Sequence, residues 1–112
     1  MEVKAIAKNT GISPRKVRLV LDLIRGKKVS EALDMLRFTP TPTARVVAKV
    51  VKSAAANAEN NFQMTPSDLK IVSIFADGAQ SLRRYRPRAR GRVGHILKRS
   101  SHITVNVAEA ED

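Results

Sequence analysis

A run of seventeen residues, Arg83 to Arg99, carries eight Lys or Arg side chains and no acidic one. It lies between two segments with the composition of core strands, Leu69 to Ala76 and His102 to Val107. If these strands pair antiparallel, the chain between them must leave the folded body and return to it. The pattern therefore predicts a long β-hairpin arm over residues 80–99, with its tip near Arg88 to Arg92.

The arm has little apolar surface with which to stabilise itself. Leu82, Tyr85, Ile96 and Leu97 are too few for a separate core, and an isolated two-stranded hairpin is marginal in water. Guanidinium groups present a planar fork of N–H donors that suits phosphate oxygens, and they also stack on bases. We therefore expect the arm to be ordered mainly by a polyanion that it binds. A disordered basic tail is the alternative, but a tail is not bracketed by two core strands.

The charge of the whole chain agrees with a polyanionic partner. There are 21 Lys and Arg residues against 10 Asp and Glu, which gives a net charge of +11 and a pI of about 11.0. Nucleic acid is the commonest partner for such a chain, and an anionic membrane surface is the other candidate. No segment approaches the roughly 20 apolar residues of a membrane span, and the N-terminus lacks the apolar run of a signal peptide. We expect a protein of the cytosol, or of an organelle after import.

The remaining sequence predicts one α+β domain, with a body of residues 1–79 and 100–112. Ser13 and Thr41 each combine an N-cap residue with a proline at the first helical position, and they start helices that end at Gly26 and near Asn60. Ser30 is interpreted as the N-cap of another helix, which ends before Pro40 and buries its apolar residues, including Phe38.

The strands complete this fold class. A short strand is predicted over residues 3–8, and the strongest strand, residues 69–76, is followed by Asp77-Gly78, a turn or bulge signal. Strand 102–107 places Ile103, Val105 and Val107 on one face. The expected architecture is a small antiparallel sheet of about three strands packed against three helices, with a long protruding basic hairpin.

The sequence offers no catalytic or metal site. It has no cysteine, and its two histidines, His95 and His102, lack a third ligand, a nucleophile or an orienting acid at suitable spacing. Gly91 and Gly94 stand outside the strand–loop–helix context of a phosphate-binding loop. We therefore expect no enzymatic activity, cofactor, metal or small-molecule substrate.

Six stretches, taken in order, carry a resemblance to one known family. They are Ser13 to Arg18, Arg25 to Lys27, Ala54 to Asn60, Arg83, Arg88 to Arg92 and, after a gap of nine residues, His102 to Val107. As an ordered set they look like the ribosomal protein L-twenty-two family of the large ribosomal subunit, in its bacterial type, and the resemblance covers nearly the whole chain. It implies a structural protein of the cytoplasmic ribosome.

The resemblance also implies partners and roles. The body is expected to bind 23S-type rRNA near the outer mouth of the peptide exit tunnel and to assist subunit assembly. The arm tip is expected to line the tunnel opposite ribosomal protein L-four, beside the nascent peptide. By matching position, the implied rRNA-binding residues are Ser13, Arg15, Lys16, Arg18, Arg25, Lys27, Arg83, Arg84, Arg86, His95, Lys98 and Arg99. The implied tip residues are Arg88, Ala89, Arg90, Gly91 and Arg92.

Two other classes of protein stay open from the residues alone. An architectural DNA-binding protein with β-arms inserts an apolar or proline wedge at the arm tip and usually dimerises, and Pro87 is the one residue that invites this interpretation. A nuclease needs a constellation of acids or histidines that the spacing does not supply.

Overall fold

The computed structural model describes the backbone at residues 2–87 and 93–109, and the side chains at residues 2–81 and 98–109. The elements are, in chain order, β1 Glu2–Ala7, α1 Pro14–Ile24, α2 Val29–Phe38, α3 Pro42–Phe62, a 3₁₀ turn Pro66–Asp68, β2 Leu69–Gly78, β3 Leu82–Pro87, β4 Val93–Lys98 and β5 Ser101–Glu109. The α+β class predicted from the sequence is confirmed.

The body is a three-stranded antiparallel sheet with the order β1-β5-β2, so the last strand lies in the centre. Ile103, Val105 and Val107 alternate along β5 and are fully buried. Because side chains alternate across a strand, these three share one face, and α1 and α3 pack against the sheet. The register of β2 shifts at Val72, where a β-bulge interrupts its pairing with β5.

The helices start and bury their side chains largely as predicted. Pro14 and Pro42 occupy first helical positions, where the missing N–H costs no hydrogen bond. Val17 and Leu21 of α1 have no exposed surface, because the apolar residues recur at helical spacing on one side. Gly26 adopts a φ of +78° just beyond the end of α1, a conformation that a glycine reaches without the steric cost that other residues meet.

Three local predictions are wrong. Lys28, not Ser30, is the N-cap of α2, because the backbone at Lys28 bridges to Lys70 of β2 and its carbonyl accepts the first helical bond. Phe38 ends α2 and is 80% exposed, since the chain turns away from the core there. Asp77-Gly78 is neither a turn nor a bulge, because both residues continue the register of β2 with β5.

A two-stranded hairpin extends from the body between β2 and β5. Its strands β3 and β4 pair antiparallel from Leu82 with Lys98 to Pro87 with Val93. The molecule measures 65 × 26 × 18 Å, and its radius of gyration of 17.1 Å exceeds the value of about 13 Å typical of a compact chain of this size. The elongation agrees with an arm that projects from the body. The predicted tip, residues 88–92, lies outside the described residues.

Candidate nucleic-acid interface

The starts of two helices and the root of the hairpin meet at one surface hollow of about 730 Å³. Ser13 and Lys16 contribute from α1, Thr41 from the start of α3, and Lys98 and Arg99 from the end of the arm. Lys98 and Arg99 also line a second hollow of about 390 Å³ at the arm root, together with Gln80 and Ser100. More than eighty residues separate the two ends of this set in the sequence, so only folding brings them together.

The surface is electropositive for two separate reasons. Helix N-termini expose unpaired N–H groups and the positive end of the helix dipole, and neither α1 nor α3 has an acidic residue in its first turn to offset it. Within the part of the chain whose side chains are described, no carboxylate lies within ion-pair distance of Lys16, Lys98 or Arg99. Such a surface attracts anions, and phosphate fits both the helix ends and the cations.

Arg18 and Arg25, two other members of the predicted set, make hydrogen bonds to other residues of the protein. The guanidinium of Arg18 donates to the carbonyl oxygen of Ala76 at 2.9 Å, and that of Arg25 donates to the carbonyl oxygen of Ile74 at 3.0 Å. Arg25 also forms an exposed ion pair with Asp22 at 2.6 Å. Both arginines therefore attach α1 to the outer edge of β2.

The loop after α1 covers the same edge. The backbone carbonyl of Lys27 accepts the N–H of Ile71 at 3.0 Å, and Lys28 forms an isolated bridge with Lys70. Together with the two arginines, this pairing satisfies backbone groups that an edge strand otherwise offers to another chain. Lys27 itself is partly exposed, in the same loop.

The remaining predicted residues are distributed along α1 and the arm. Arg15 is exposed on the first turn of α1. Arg83, Arg84 and Arg86 lie on β3 opposite Leu97, Ile96 and Gly94, and His95 lies on β4 opposite Tyr85. The structure fixes these positions through the backbone register. The residues Arg88, Ala89, Arg90, Gly91 and Arg92 fall outside the described part.

Sequence reasoning missed the contribution of α3 to this surface. Thr41, Pro42 and Thr43 line the hollow beside Gly11 and Ile12. The sequence signal was present, because the Thr-Pro pair repeats the Ser-Pro pair that starts α1. Nothing in the pattern shows, however, that the two helix starts lie side by side.

Among the residues that the structure describes there is no cluster of three or more potential metal ligands. None of the described helices is both long and apolar enough to cross a membrane. The fold and its cationic surface thus define a class, the small basic α+β proteins with a projecting hairpin, whose residues indicate binding of an anionic partner.

Comparison with known proteins identifies the family within this class. The model of the family Ribosomal protein L22p/L17e matches residues 5–108. The large ribosomal subunit protein uL22 of Dehalococcoides mccartyi strain 195 is 71% identical over 109 residues, which cover 97% of this chain and 100% of that protein. The proteins of the same name from Herpetosiphon aurantiacus and Desulforamulus reducens are 55% and 56% identical, over 99% and 100% of this chain and 98% and 99% of theirs.

The chain belongs to the Ribosomal protein L22p/L17e family, in its bacterial type. It is a structural constituent of the large ribosomal subunit in the bacterial cytoplasm, and it is not an enzyme. Membership confirms the resemblance seen in the sequence. It decides against the nuclease and against the architectural DNA-binding protein.

Proposed function

We propose that the protein binds 23S-type rRNA through a continuous surface that begins at the root of the arm and follows the arm outward. The observation that carries this proposal is the convergence of Ser13, Lys16, Lys98 and Arg99 with two helix N-termini that have no acidic residue in the first turn. Folded RNA presents closely spaced phosphates. The Lys and Arg side chains supply positive charges for these phosphates, and the helix N-termini supply N–H donors.

The arm extends the binding surface away from the body. Arg83, Arg84, Arg86 and His95 lie on its two strands. We propose that these residues contact rRNA alongside the hairpin. Arg15 lies on the first turn of α1 and Lys27 in the loop after that helix. We propose that both also contact rRNA. Arg18 and Arg25 belong to the set implied by the family resemblance, but we propose that they act mainly inside the protein.

The length of the arm supports a role at a distance from the body. Six residues of each strand are paired, which is a reach of roughly 20 Å at about 3.3 Å per residue, and the tip follows beyond them. We propose that the tip residues Arg88 to Arg92 line the nascent-peptide exit tunnel opposite ribosomal protein L-four, beside the nascent peptide. The body would then hold rRNA segments together during subunit assembly.

The body surface is tested by the salt dependence of binding to a large-subunit rRNA fragment. If about six cations contact phosphates, log K against log salt has a slope of roughly −4, from about 0.7 per contact for single strands. Changing both Lys98 and Arg99 to Ala should reduce the magnitude of the slope by about 1.4. Lys49→Ala is the matched control, because Lys49 is exposed on α3 and lines neither hollow. Equal slopes for the double variant and the control would contradict the proposal.

The tip is tested separately from the body. Changing Arg88, Arg90 and Arg92 to Ala should alter nascent-chain stalling in translation assays while large subunits still assemble. The double variant of Lys98 and Arg99 should instead reduce incorporation into large subunits more than it alters nascent-chain stalling. Failed assembly with normal stalling in the tip variant would refute the assignment of the tip to the tunnel.

A further inference from the structure

The pairing of strands is interrupted where the arm leaves the body. The last pair of the central sheet joins Gly78 and Ser101, and the first pair of the hairpin joins Leu82 and Lys98. Between these pairs, three residues on one side face two on the other, and one backbone hydrogen bond, from the N–H of Ala79 to the carbonyl of Ser100 at 3.0 Å, still joins the two sides. In the described backbone, β3 and β4 lie close to each other, and neither runs alongside an element of the body. The direction of the arm therefore depends on what holds the chain at this interruption.

A set of contacts, here called the root junction, holds it: residues 9–11 of the loop after β1 contact residues 100–102. The N–H of Thr10 donates to the carbonyl of Ser101 at 3.0 Å, and their hydroxyl oxygens lie 2.7 Å apart. The side chain of Ser101 is fully buried and that of Thr10 partly buried, so this hydroxyl pair is partly shielded from water. The Thr10 hydroxyl also accepts the N–H of Ile12 at 3.3 Å, which links β5 to the start of α1.

Two more hydrogen bonds complete the root junction. The N–H of Gly11 donates to the Ser100 hydroxyl at 2.9 Å, and the N–H of Asn9 donates to Nδ1 of His102 at 3.1 Å. Asn9 and Gly11 both have a positive φ, of 54° and 78°. The loop thus takes up backbone conformations that residues other than glycine seldom adopt, and it turns three successive N–H groups towards the start of β5.

We propose that Thr10 and Ser101 are positioning residues, which set the angle of the arm relative to the two helix N-termini and so prepare the protein for rRNA. The inference rests on the function proposed above. Its physical basis is the length of the arm, because a rotation of about 10° at the root moves the far end of a six-residue strand by roughly 3 Å. Such a displacement is enough to lose a phosphate hydrogen bond. The junction also keeps Lys98 and Arg99 beside Lys16.

The test variant combines Thr10→Val with Ser101→Ala. Removing both hydroxyls leaves neither one buried without a partner, and the Ile12 N–H loses only a long bond of 3.3 Å at a partly exposed residue. The body should therefore stay folded while the side-chain link is lost. The control is Ser73→Ala, which removes a side-chain hydrogen bond of the same length, 2.7 Å, between Ser73 of β2 and Asn106 of β5, away from the root. If the double variant does not fold, Ser100→Ala weakens the same root junction at a partly exposed side chain, because it removes the acceptor of the Gly11 N–H.

The first measurement uses the free protein without RNA. The chain has no cysteine, so Glu59→Cys on α3 and Tyr85→Cys on β3 accept two spin labels without competing sites. We expect the distribution of label-to-label distances to broaden in the junction variant and to stay as in the parent for Ser73→Ala. Equal widths in all three proteins would overturn the proposal, whatever the RNA does.

The second measurement separates positioning from contact. Because the direction of the arm must now be fixed on binding, the affinity of the junction variant for rRNA should fall about three- to tenfold. The salt slope should stay unchanged, because every cation is still present and makes its phosphate contact once the arm is in place, whereas Lys98→Ala should reduce the magnitude of the slope by about 0.7. A reduced slope in the junction variant, or an unchanged affinity, refutes the positioning role. Absence of rRNA binding by the parent refutes the proposed function and leaves the distance measurement standing.

Discussion

Replacing both Arg18 and Arg25 with Met should weaken the fold and leave RNA binding nearly intact. Methionine keeps much of each aliphatic stem and removes the donors that reach the carbonyls of Ala76 and Ile74. These bonds tie α1 to the outer edge of β2, next to the backbone pairing at Lys27. Losing them opens the edge to water and to other chains.

The magnitude follows from the exposure of the two bonds. A hydrogen bond with one charged partner contributes about 1.5–3 kcal/mol when shielded. The side chain of Arg25 is 49% exposed, so screening by water lowers each contribution to about 1 kcal/mol. Two bonds give about 2 kcal/mol, and for a chain of 112 residues each kcal/mol corresponds to about 4 °C in Tm. We expect the Tm to fall by about 8 °C.

Thermal unfolding followed by circular dichroism measures the loss of stability. Salt titration of rRNA binding tests the alternative, that the two arginines contact phosphates. Arg37→Met is the control, because Arg37 is an exposed arginine of α2 with no hydrogen bond to β2 in the described part. It should shift the Tm by no more than about 2 °C. An unchanged Tm in the double variant, together with a salt slope smaller by about 1.4, would show that both arginines contact phosphates instead.

Two further predictions concern local backbone structure. Gly26→Ala should cost about 1–2 kcal/mol, because φ is +78° and no atom lies within 4 Å of the added Cβ, so the cost is backbone strain alone. Gly78→Ala, equally free of contacts and without positive φ, is its control in denaturant titration. Thr41→Ala should cost about 0.5–1 kcal/mol, because the Thr41 hydroxyl accepts the N–H of Ala44. Ser13→Ala should leave stability within about 0.5 kcal/mol, because the Ser13 hydroxyl makes no capping bond, and equal losses for the two would contradict this.

The errors in sequence interpretation share a cause. Ser30 has the right chemistry for an N-cap, but the helix begins earlier because Lys28 is already fixed by its bridge to β2. Asp77-Gly78 has the chemistry of a turn, but pairing with β5 holds both residues in a strand. In each case a local preference of a fraction of a kcal/mol to about 1 kcal/mol is overridden by contacts with a distant segment.

The candidate site likewise depends on both local sequence and contacts between distant segments. Lys98 and Arg99 lie in the segment of dense positive charge, and Ser13 and Lys16 were implied as rRNA-binding residues by the family resemblance. Neither pattern shows that these pairs adjoin one hollow, because their proximity depends on how β1 and β5 pair. Arg18 and Lys16 are both basic residues of α1. Arg18, however, lies beside the edge of β2 and donates to the carbonyl of Ala76 there.

The sequence by itself determined the element types, the buried faces and the basic hairpin, because hydrophobic periodicity and charge are properties of neighbouring residues along the chain. The tertiary structure decided which cations face outward, which close the edge of β2, and how the arm is held at its root. Those outcomes depend on contacts between segments up to about ninety residues apart, and no local pattern encodes the direction in which such segments approach each other.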